Sequence, residues 1–479
     1  MLDICQEFFD QLNARDIRYC HWKSNSHLKE ALEGNTDLDL LVHQEDRLEF
    51  NEVLRLINCV AVASPVYKRF PDLEDYLGFD KRTGRLIHLH VHFSLILGQR
   101  FIKNHHLPLE FLFFENRILQ GHVFVPVPEL ELLILVIRVS MKTGVMDVVR
   151  QAVYDGLGKS GTGFPTAIEH ELKQLIAVVN QEKLLAILAR SGLPILPATL
   201  LNFLDRFNSN KLRFVDLIRM NFIILWNLRE FQRLRIEKVV PKYIYLLLAN
   251  QQGLKRWFPH PRKTLFSSGF SVAVVGADGS GKSTLVNDLQ QWLSWKLMVT
   301  SHYYGIPKTR WIQCIQFFIR IANKLKLFLF EKVLTSVLWV VIAKCRASVS
   351  DVIQHEMSSG IIAIIDRYPM PEFLEMQHPM DGPRLAINAS KLAGIERSYY
   401  NKIHRPDLIL VLKAPVEILR QRKTDLDVET HRAKVQAVNT LTSAQDVTLL
   451  DATRPYADVL LAAKTIIWNE ICQRGRRNG

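Results

Sequence analysis

The feature that most limits the fold of this chain is the glycine-rich segment GADGSGKST at residues 276–284. It matches the pattern GxxxxGK[ST], in which backbone N–H groups close around phosphates at the start of a helix. The apolar run at 271–275 predicts a strand before it, and apolar spacing over 284–297 predicts a helix after it. We expect Lys282 to reach the β- and γ-phosphates of ATP, and the Ser283 hydroxyl to ligate Mg²⁺. The candidate nucleotide-binding residues are Gly276, Asp278, Gly279, Ser280, Gly281, Lys282, Ser283 and Thr284.

From about residue 263 onward, buried-type strands alternate with helices, which predicts an α/β fold with a parallel sheet. The apolar run at 361–365 is followed by Asp366 and Arg367. Because ligands of open α/β sheets bind at the carboxyl ends of the strands, both side chains are candidates for the same site. We expect Asp366 to hold Mg²⁺ or to orient the acceptor, and Arg367 to bind a phosphoryl group with two hydrogen bonds. The alternative is a structural ion pair.

A basic segment follows the apolar run at 408–412. The helix predicted there carries Arg420, Arg422 and Lys423, and a polar stretch extends to Lys434. A mobile basic flap at this place would cover the transferring phosphate and exclude water; a solvated helix face is the alternative. The candidate catalytic residues are Lys282, Asp366, Arg367, Arg420 and Arg422.

Residues from about 268 to 470 resemble the thymidylate kinase family of nucleoside-monophosphate kinases. The resemblance rests on the glycine-rich segment, Asp-Arg-Tyr at 366–368, Pro-Asp-Leu at 406–408 and the arginine-rich segment after it. It implies a P-loop kinase that uses ATP and Mg²⁺, with a phosphorylated small molecule as the acceptor.

The resemblance also implies roles for individual residues. Asp278 would contact the sugar of the acceptor, and Arg367 would contact its phosphate. Gly279 stands where some family members carry a catalytic arginine, which implies that the arginine comes from the flap. The candidates for that arginine are Arg420, Arg422 and Arg432.

One departure from the family concerns the acceptor. Family members carry Thr-Arg-Glu-Pro-Gly-Gly after the second strand, whereas this chain has Thr-Ser-His-Tyr-Tyr-Gly at 300–305. A long helical insertion, predicted at about 309–357, follows this segment. We therefore expect an acceptor other than thymidylate.

The N-terminal part carries a second set of candidate residues. Asp37 and Asp39 lie two apart on a predicted strand, so that both carboxylates point to one face. Such a pair can hold Mg²⁺ for phosphoryl or nucleotidyl transfer; two polar residues on a solvent face are the alternative. About 120 residues here resemble the nucleotidyltransferase fold of the DNA polymerase β superfamily, with Lys23-Ser24 in place of the glycine motif.

A predicted strand at 86–93 stands where that family has its third carboxylate. It carries His88, His90 and His92 on one face instead. Three histidines at a period of two could bind a transition metal. A half-exposed strand face is the alternative.

The composition limits the class of protein. The chain has 479 residues, 48% of them apolar, which excludes a largely disordered protein. Its apolar runs are shorter than the roughly 20 residues that span a bilayer, and its six scattered cysteines favour a reducing cytoplasm. The net charge of +13 is typical of a surface that attracts phosphorylated molecules, nucleic acid or anionic lipid, and an excess that only makes the surface soluble is the alternative. Nothing in the chain resembles an RNA-binding motif, so a nucleic-acid partner is not favoured.

We therefore expect a nucleotidyltransferase-like domain at 1–125, a helical region at 126–260 and a thymidylate kinase-like domain at 263–475. The expected function is transfer of the ATP γ-phosphoryl to a nucleoside monophosphate or related sugar phosphate. The alternatives are a nucleotide-binding switch with little turnover and a bifunctional enzyme with an active nucleotidyltransferase half. The acceptor, the catalytic arginine and the oligomeric state are left open by the sequence.

Overall fold

The computed structural model forms two compact units, an N-terminal unit (Met1–Pro261) and a C-terminal unit (Arg262–Gly479). Four glycines and a proline predict a loop at 155–165, and Pro-His-Pro at 259–261 predicts a domain boundary. Both segments lie outside the described residues. The structure describes residues 1–98, 102–142, 166–209, 211, 214–250, 262–370, 381–385, 391–422, 428–442 and 446–477.

The N-terminal unit combines a mixed sheet with a helical part. Its described strands are β1 (Tyr19–His21), β2 (Leu38–Val42), β3 (Val60–Ala63), β4 (Leu73–Phe79), β5 (Leu86–His92), β6 (Ile96–Leu97), β7 (His105–His106), β8 (Arg117–Gln120) and β9 (Val123–Pro126). Its described helices are α1 (Asp3–Ala14), α2 (Leu28–Leu32), α3 (Arg47–Leu56), α4 (Glu110–Glu115), α5 (Pro128–Lys142), α6 (Thr166–Val178), α7 (Gln181–Arg190), α8 (Pro197–Asn208), α9 (Phe214–Asn227) and α10 (Ile236–Asn250).

Within this unit the main sheet has the order β1-β2-β5-β4-β3. Only the β2–β5 pair is parallel among these neighbours. The turn-like residues 80–84 between the runs at 76–79 and 85–93 predict a hairpin. This prediction is confirmed, because β4 and β5 pair antiparallel with Phe79 opposite Leu86. Leu38 and Leu40 alternate with the two aspartates, which predicts that they face the core, and both are fully buried. Apolar residues at every third or fourth place predict a helix over 214–234, but α9 ends at Asn227.

The C-terminal unit is an α/β unit with helices flanking a parallel sheet, and the predicted fold class is confirmed. The described strands are β10 (Thr264–Leu265), β11 (Ser271–Gly276), β12 (Val299–Tyr303), β13 (Ile362–Asp366), β14 (Leu408–Lys413) and β15 (Val447–Asp451). The described helices are α11 (Lys282–Leu293), α12 (Arg310–Lys324), α13 (Phe328–Ser358), α14 (Lys391–Tyr400), α15 (Val416–Arg422), α16 (Val428–Thr440) and α17 (Tyr456–Arg477).

The parallel sheet has the order β12-β13-β11-β14-β15, so the phosphate-loop strand β11 is central and β13 is its neighbour. All residues of β11 are buried, which explains its continuous apolar sequence. The amino end of β11 is fastened to β14 by Asp407, which accepts hydrogen bonds at 2.9 Å from both the backbone N–H and the hydroxyl of Ser271. The predicted helical insertion is confirmed as the pair α12 and α13. Among the described residues, no helix is long and apolar enough to cross a membrane.

Candidate active site

The phosphate loop connects β11 to α11 at the carboxyl edge of the sheet. Gly279 and Gly281 have φ angles of 85° and 92°, a left-handed conformation that favours glycine. Gly281 is the N-cap of α11, so the helix begins at Lys282, two residues earlier than predicted. The free N–H groups of this first turn and the helix dipole favour an anion here.

Lys282 is the charged group of this loop. Its side chain is buried, and its ammonium group donates a hydrogen bond to the Ala277 carbonyl at 2.8 Å. Burial lowers the pKa of Lys282 to about 8, although Asp278 opposes the shift. The loop therefore holds a partly desolvated cation that an entering phosphate would stabilise.

Ser283 and Asp366 meet because Ser283 lies in the first turn of α11, which follows β11, and Asp366 ends the neighbouring strand β13. The Ser283 hydroxyl donates to Oδ2 of Asp366 at 3.1 Å. The other carboxylate oxygen, Oδ1, is buried and has no hydrogen-bond partner among the described residues. A hydroxyl and a carboxylate with an unused oxygen fit the oxygen ligands that Mg²⁺ prefers. The predicted pair is therefore together.

Asp278 lies among three cations. Its Oδ2 accepts from Lys434 at 3.0 Å, and its Oδ1 lies 3.4 Å from Arg367 and 4.0 Å from Lys282. Burial would raise the pKa of Asp278, but the three cations, Lys434 foremost, hold it below its ordinary value. The carboxylate thus neutralises part of the positive charge of the site. The sequence did not predict that Asp278 contacts these cations.

Arg367 occupies a strained position at the end of β13. Its φ of 66° is left-handed, which costs energy in a non-glycine residue and is typical of functional sites. Burial would lower the pKa of this guanidinium, but neighbouring acids, Asp381 foremost, raise it above its ordinary value. The guanidinium lies 5.8 Å from the centre of the Tyr303 ring.

A cavity of about 240 Å³ lies beside these residues. Its lining residues are Gly276, Asp278, Lys282, Tyr303, Gly305, Ile306, Arg367, Asp381, Arg384 and Lys434. Four of the ten are Lys or Arg and two are Asp, so the cavity is suited to an anion.

The segment that departs from the thymidylate kinase pattern forms one wall of this cavity. Tyr303 and Gly305 line it, whereas Thr300 and His302 point to Glu356 on α13, each at 2.7 Å. The segment at 300–305 therefore contributes the aromatic ring of Tyr303 to the cavity.

Arg420 and Arg422 are placed away from the cavity. Arg420 is exposed, and Arg422 donates to the Ala452 carbonyl at 3.1 Å, past the end of β15. Neither lines the cavity among the described residues, whereas Lys434 on α16 does. Lys423 lies outside the described residues. The catalytic role of the two arginines stays a prediction, and the basic flap reaches the site in this structure through Lys434.

Sequence reasoning missed Asp381 and the residue that supports it. Arg346, buried in the middle of α13, lies 3.7 Å from the Asp381 carboxylate and donates to the Asp381 carbonyl. Nothing in the local sequence connects these two residues. The only available signal was a basic residue at an otherwise buried position of a helix.

In the N-terminal unit, Asp37 and Asp39 contact different side chains. Asp39 forms an ion pair with Lys23 at 2.7 Å, and Asp37 lies 2.9 Å from Nδ1 of His88. The pairing follows from the sheet register, because the N–H of Trp22 donates to the Asp39 carbonyl. In this structure each carboxylate contacts a different basic side chain, and the predicted Mg²⁺ site at Asp37 and Asp39 stays a prediction.

The three histidines of β5 are not a half-exposed face, because His88 and His92 are only 1% and 0% exposed. His88 and His90 contact Asp75 at 3.1 and 2.7 Å. Both ring nitrogens of His92 lack a hydrogen-bond partner among the described residues, and burial holds the pKa of His92 well below its ordinary value. Asp39, His90 and His92 offer ligand atoms within 4.8 Å of one another.

Three further basic residues, Lys103, Arg138 and Lys142, interact electrostatically with Asp39, and the sequence did not indicate them. Burial lowers the pKa of Lys103 to about 7, helped by the neighbouring charge of Lys23, whereas Lys142 is exposed. Burial likewise lowers the pKa of Arg138, whose guanidinium lies over the Trp22 ring. The region is therefore rich in positive charge.

Comparison with known proteins gives partial likenesses. No protein family model matches the chain. The chain is 27% identical over 218 residues to the uncharacterized ATP-binding protein YghR of Escherichia coli K12, a match that covers 41% of this chain and 86% of YghR. Among solved structures, thymidylate kinase from Candida albicans matches with 19% identity and a TM-score of 0.30, covering 43% of this chain and 94% of that one. Each match concerns less than half of this chain.

Proposed function

We propose that the C-terminal unit is an ATP-dependent phosphotransferase. It moves the γ-phosphoryl of ATP to a phosphorylated acceptor, a nucleoside monophosphate or a related sugar phosphate. The observation that carries the proposal is the meeting of a phosphate loop with a second set of cations, Arg367 and Lys434, around one cavity. A phosphotransferase needs one site for the ATP phosphates and a second for the acceptor phosphate at the same edge of the sheet, whereas a nucleotide switch needs only the ATP site. The ATP-binding designation of YghR agrees with the first of them.

In this proposal, the loop N–H groups and Lys282 hold the β- and γ-phosphates, as in other P-loop proteins. Arg367 binds the acceptor phosphate and points its attacking oxygen at the γ-phosphorus. The new P–O bond forms as the bond to the β–γ bridging oxygen breaks, and the positive cavity stabilises the charge on the equatorial oxygens. Ser283 and Asp366 would hold Mg²⁺, which neutralises phosphate charge when it is bound.

We also propose that thymidylate is not the preferred acceptor. Tyr303 and Arg384 line the cavity where the family's Thr-Arg-Glu-Pro-Gly-Gly segment would seat the base. A site built to hydrogen-bond one base discriminates strongly, because an unmatched buried polar group is costly. With those contacts rebuilt, thymidylate has no evident advantage.

Kinetics with a panel of acceptors tests both statements. The purified chain is given Mg·ATP with nucleoside monophosphates or sugar phosphates, and ADP formation is followed. We expect at least one acceptor to accelerate ADP formation strongly, with thymidylate not the best. A slow rate that no acceptor accelerates would favour the switch. A kcat/KM for thymidylate far above all others would contradict the altered specificity.

A second candidate function concerns the N-terminal unit, which we propose binds a phosphate-bearing ligand without a metal at Asp39. The supporting observation is that Lys23 occupies the Asp39 carboxylate at 2.7 Å, with Lys103, Arg138 and Lys142 contributing further positive charge. A metal cation at Asp39 would be repelled by these groups, whereas a phosphate would be attracted. The proposal includes three parts of the chain, a nucleotidyltransferase-like domain at 1–125, a helical region at 126–260 and a thymidylate kinase-like domain at 263–475.

Calorimetry with inorganic pyrophosphate tests the second function, using the full chain with Lys282→Ala to weaken the phosphate loop. We expect binding that persists in EDTA and weakens as pH rises through about 7, where Lys103 loses its proton. Lys103→Gln should weaken that binding. Binding that requires a divalent metal would contradict the proposal and favour a metal at Asp39, His90 and His92.

A further inference from the structure

The helical hairpin of α12 and α13 ends in an exposed apolar turn, residues 325–330, which we call the hairpin tip. Leu329 is 84% exposed, Phe328 69% and Leu325 63%. The chain turns here through Lys326, whose φ of 57° is left-handed. Neighbouring large apolar side chains all in water are unusual, since hydrophobic burial is the main force in folding.

The exposed apolar surface continues from the tip along α12. Trp311 is 80% exposed, and Phe317 and Phe318 are also exposed. The opposite side of the hairpin has a small core of its own, in which Ile312 packs with Leu338 and Ile342 of α13. The hairpin therefore needs no further partner to hold its two helices together, and its outer apolar face remains available.

The charge of the hairpin is strongly one-sided. Between residues 308 and 344 the only acidic residue is Glu331. The basic residues in this stretch are Lys308, Arg310, Arg320, Lys324, Lys326, Lys332 and Lys344. Lys324, Lys326 and Lys332 flank the apolar side chains of the tip, a combination typical of segments that lie in a membrane interface.

We infer that the hairpin tip and the outer face of α12 dock on an anionic lipid surface. Leucine, phenylalanine and tryptophan side chains would enter the boundary between headgroups and acyl chains, and the flanking lysines would contact lipid phosphates. The described helices do not include one that could cross the bilayer, so the hairpin would lie in the interface. A second copy of this chain fits less well, because a two-fold contact between these faces brings like charges together.

Docking of this kind would bring the cavity close to the lipid. Arg384, which lines the cavity, lies 5.5 Å from the centre of the Trp339 ring on α13. Trp339 is eleven residues along the helix from Phe328, about 17 Å at 1.5 Å per residue. Docking on lipid is independent of the proposed function, but it would let the cavity receive an acceptor held at a membrane surface.

Flotation of the full chain with lipid vesicles tests the inference. We expect the protein to float with vesicles of phosphatidylglycerol and phosphatidylcholine at low salt, and to float much less with phosphatidylcholine alone. The triple variant Phe328→Ser, Leu329→Ser, Phe330→Ser removes exposed side chains only, so it should fold normally and lose flotation. The control Leu48→Ser, at a position 81% exposed on α3, should float like the wild type.

A second variant set separates charge from apolar insertion. Lys324→Gln, Lys326→Gln and Lys332→Gln together should weaken binding to phosphatidylglycerol vesicles, by about fivefold per lysine, and reduce its dependence on salt. Light scattering without lipid supplies the other arm of the test. A wild-type dimer that the triple serine variant converts to a monomer, with no flotation of either, would overturn the inference and make a second copy the occupant. Flotation unchanged in the triple serine variant would also overturn it.

Discussion

Asp278 gives a sharp test of the charge balance in the active site. The substitution Asp278→Asn keeps the size of the side chain and one carbonyl oxygen but removes the charge that faces Lys434, Arg367 and Lys282. We expect the ligand-free C-terminal unit to become less stable, because three cations lose their shared anion. With Mg·ATP bound, the loss should shrink, since the phosphates then supply negative charge to the same cations.

The magnitude follows from the contacts. The hydrogen bond from Lys434 to Asp278 is 3.0 Å long and joins two partly buried side chains. A hydrogen bond to a charged group contributes about 1.5–3 kcal/mol, so we expect a loss of about 2 kcal/mol. For a unit of this size, about 2–4 °C of Tm correspond to each kcal/mol, which gives a decrease of about 4–8 °C.

Differential scanning calorimetry of the wild type and of Asp278→Asn, each with and without Mg·ATP, measures this change in Tm. Asp458→Asn is the control, because Asp458 pairs with Arg454 at 3.4 Å on the exposed surface of α17 and should change Tm little. An Asp278→Asn protein with unchanged or higher Tm would refute the reasoning. So would a decrease in Tm that is the same with and without Mg·ATP.

Two other predictions follow from single residues. Burial lowers the pKa of Lys282 to about 8 in the ligand-free protein, and a bound phosphate favours the charged form of this lysine. The ATP affinity measured by calorimetry should therefore be constant below pH 8 and fall about tenfold per pH unit above it. Constant affinity up to pH 10 would contradict this. Asp407→Ala removes the hydrogen-bond acceptor of Ser271 and of Arg474, so the free energy of unfolding measured in urea should fall by about 2–4 kcal/mol. The affinity of the folded variant for ATP should be unchanged. A loss below about 0.5 kcal/mol would contradict the proposed fastening of β11 to β14.

The phosphate loop and the sheet could be predicted because their determinants are local. The motif at 276–284 specifies glycine φ angles and a helix start, and the apolar runs specify buried parallel strands. Even the hairpin at 76–93 and the inserted helices were correct for this reason. The start of α11 was placed two residues late, since apolar spacing does not mark the first turn of a helix.

Contacts between distant segments could not be predicted in the same way. Lys434, rather than Arg420 or Arg422, reaches the cavity, and this depends on how α15 and α16 pack. The pairing of Asp39 with Lys23 depends on the register of β1 against β2. A period of two correctly placed the histidines of β5 on one face, but whether that face is covered is decided by other elements.

The most direct test of the central claim compares wild-type protein with Lys282→Ala for Mg·ATP affinity and acceptor-stimulated ADP formation. Lys402→Ala, at an exposed position, is the control, and circular dichroism checks that both variants are folded. The account predicts that Lys282→Ala weakens ATP binding by about 10- to 100-fold and lowers turnover by at least as much, with Lys402→Ala like the wild type. Unchanged affinity and turnover in folded Lys282→Ala would contradict the claim that this loop binds the nucleotide.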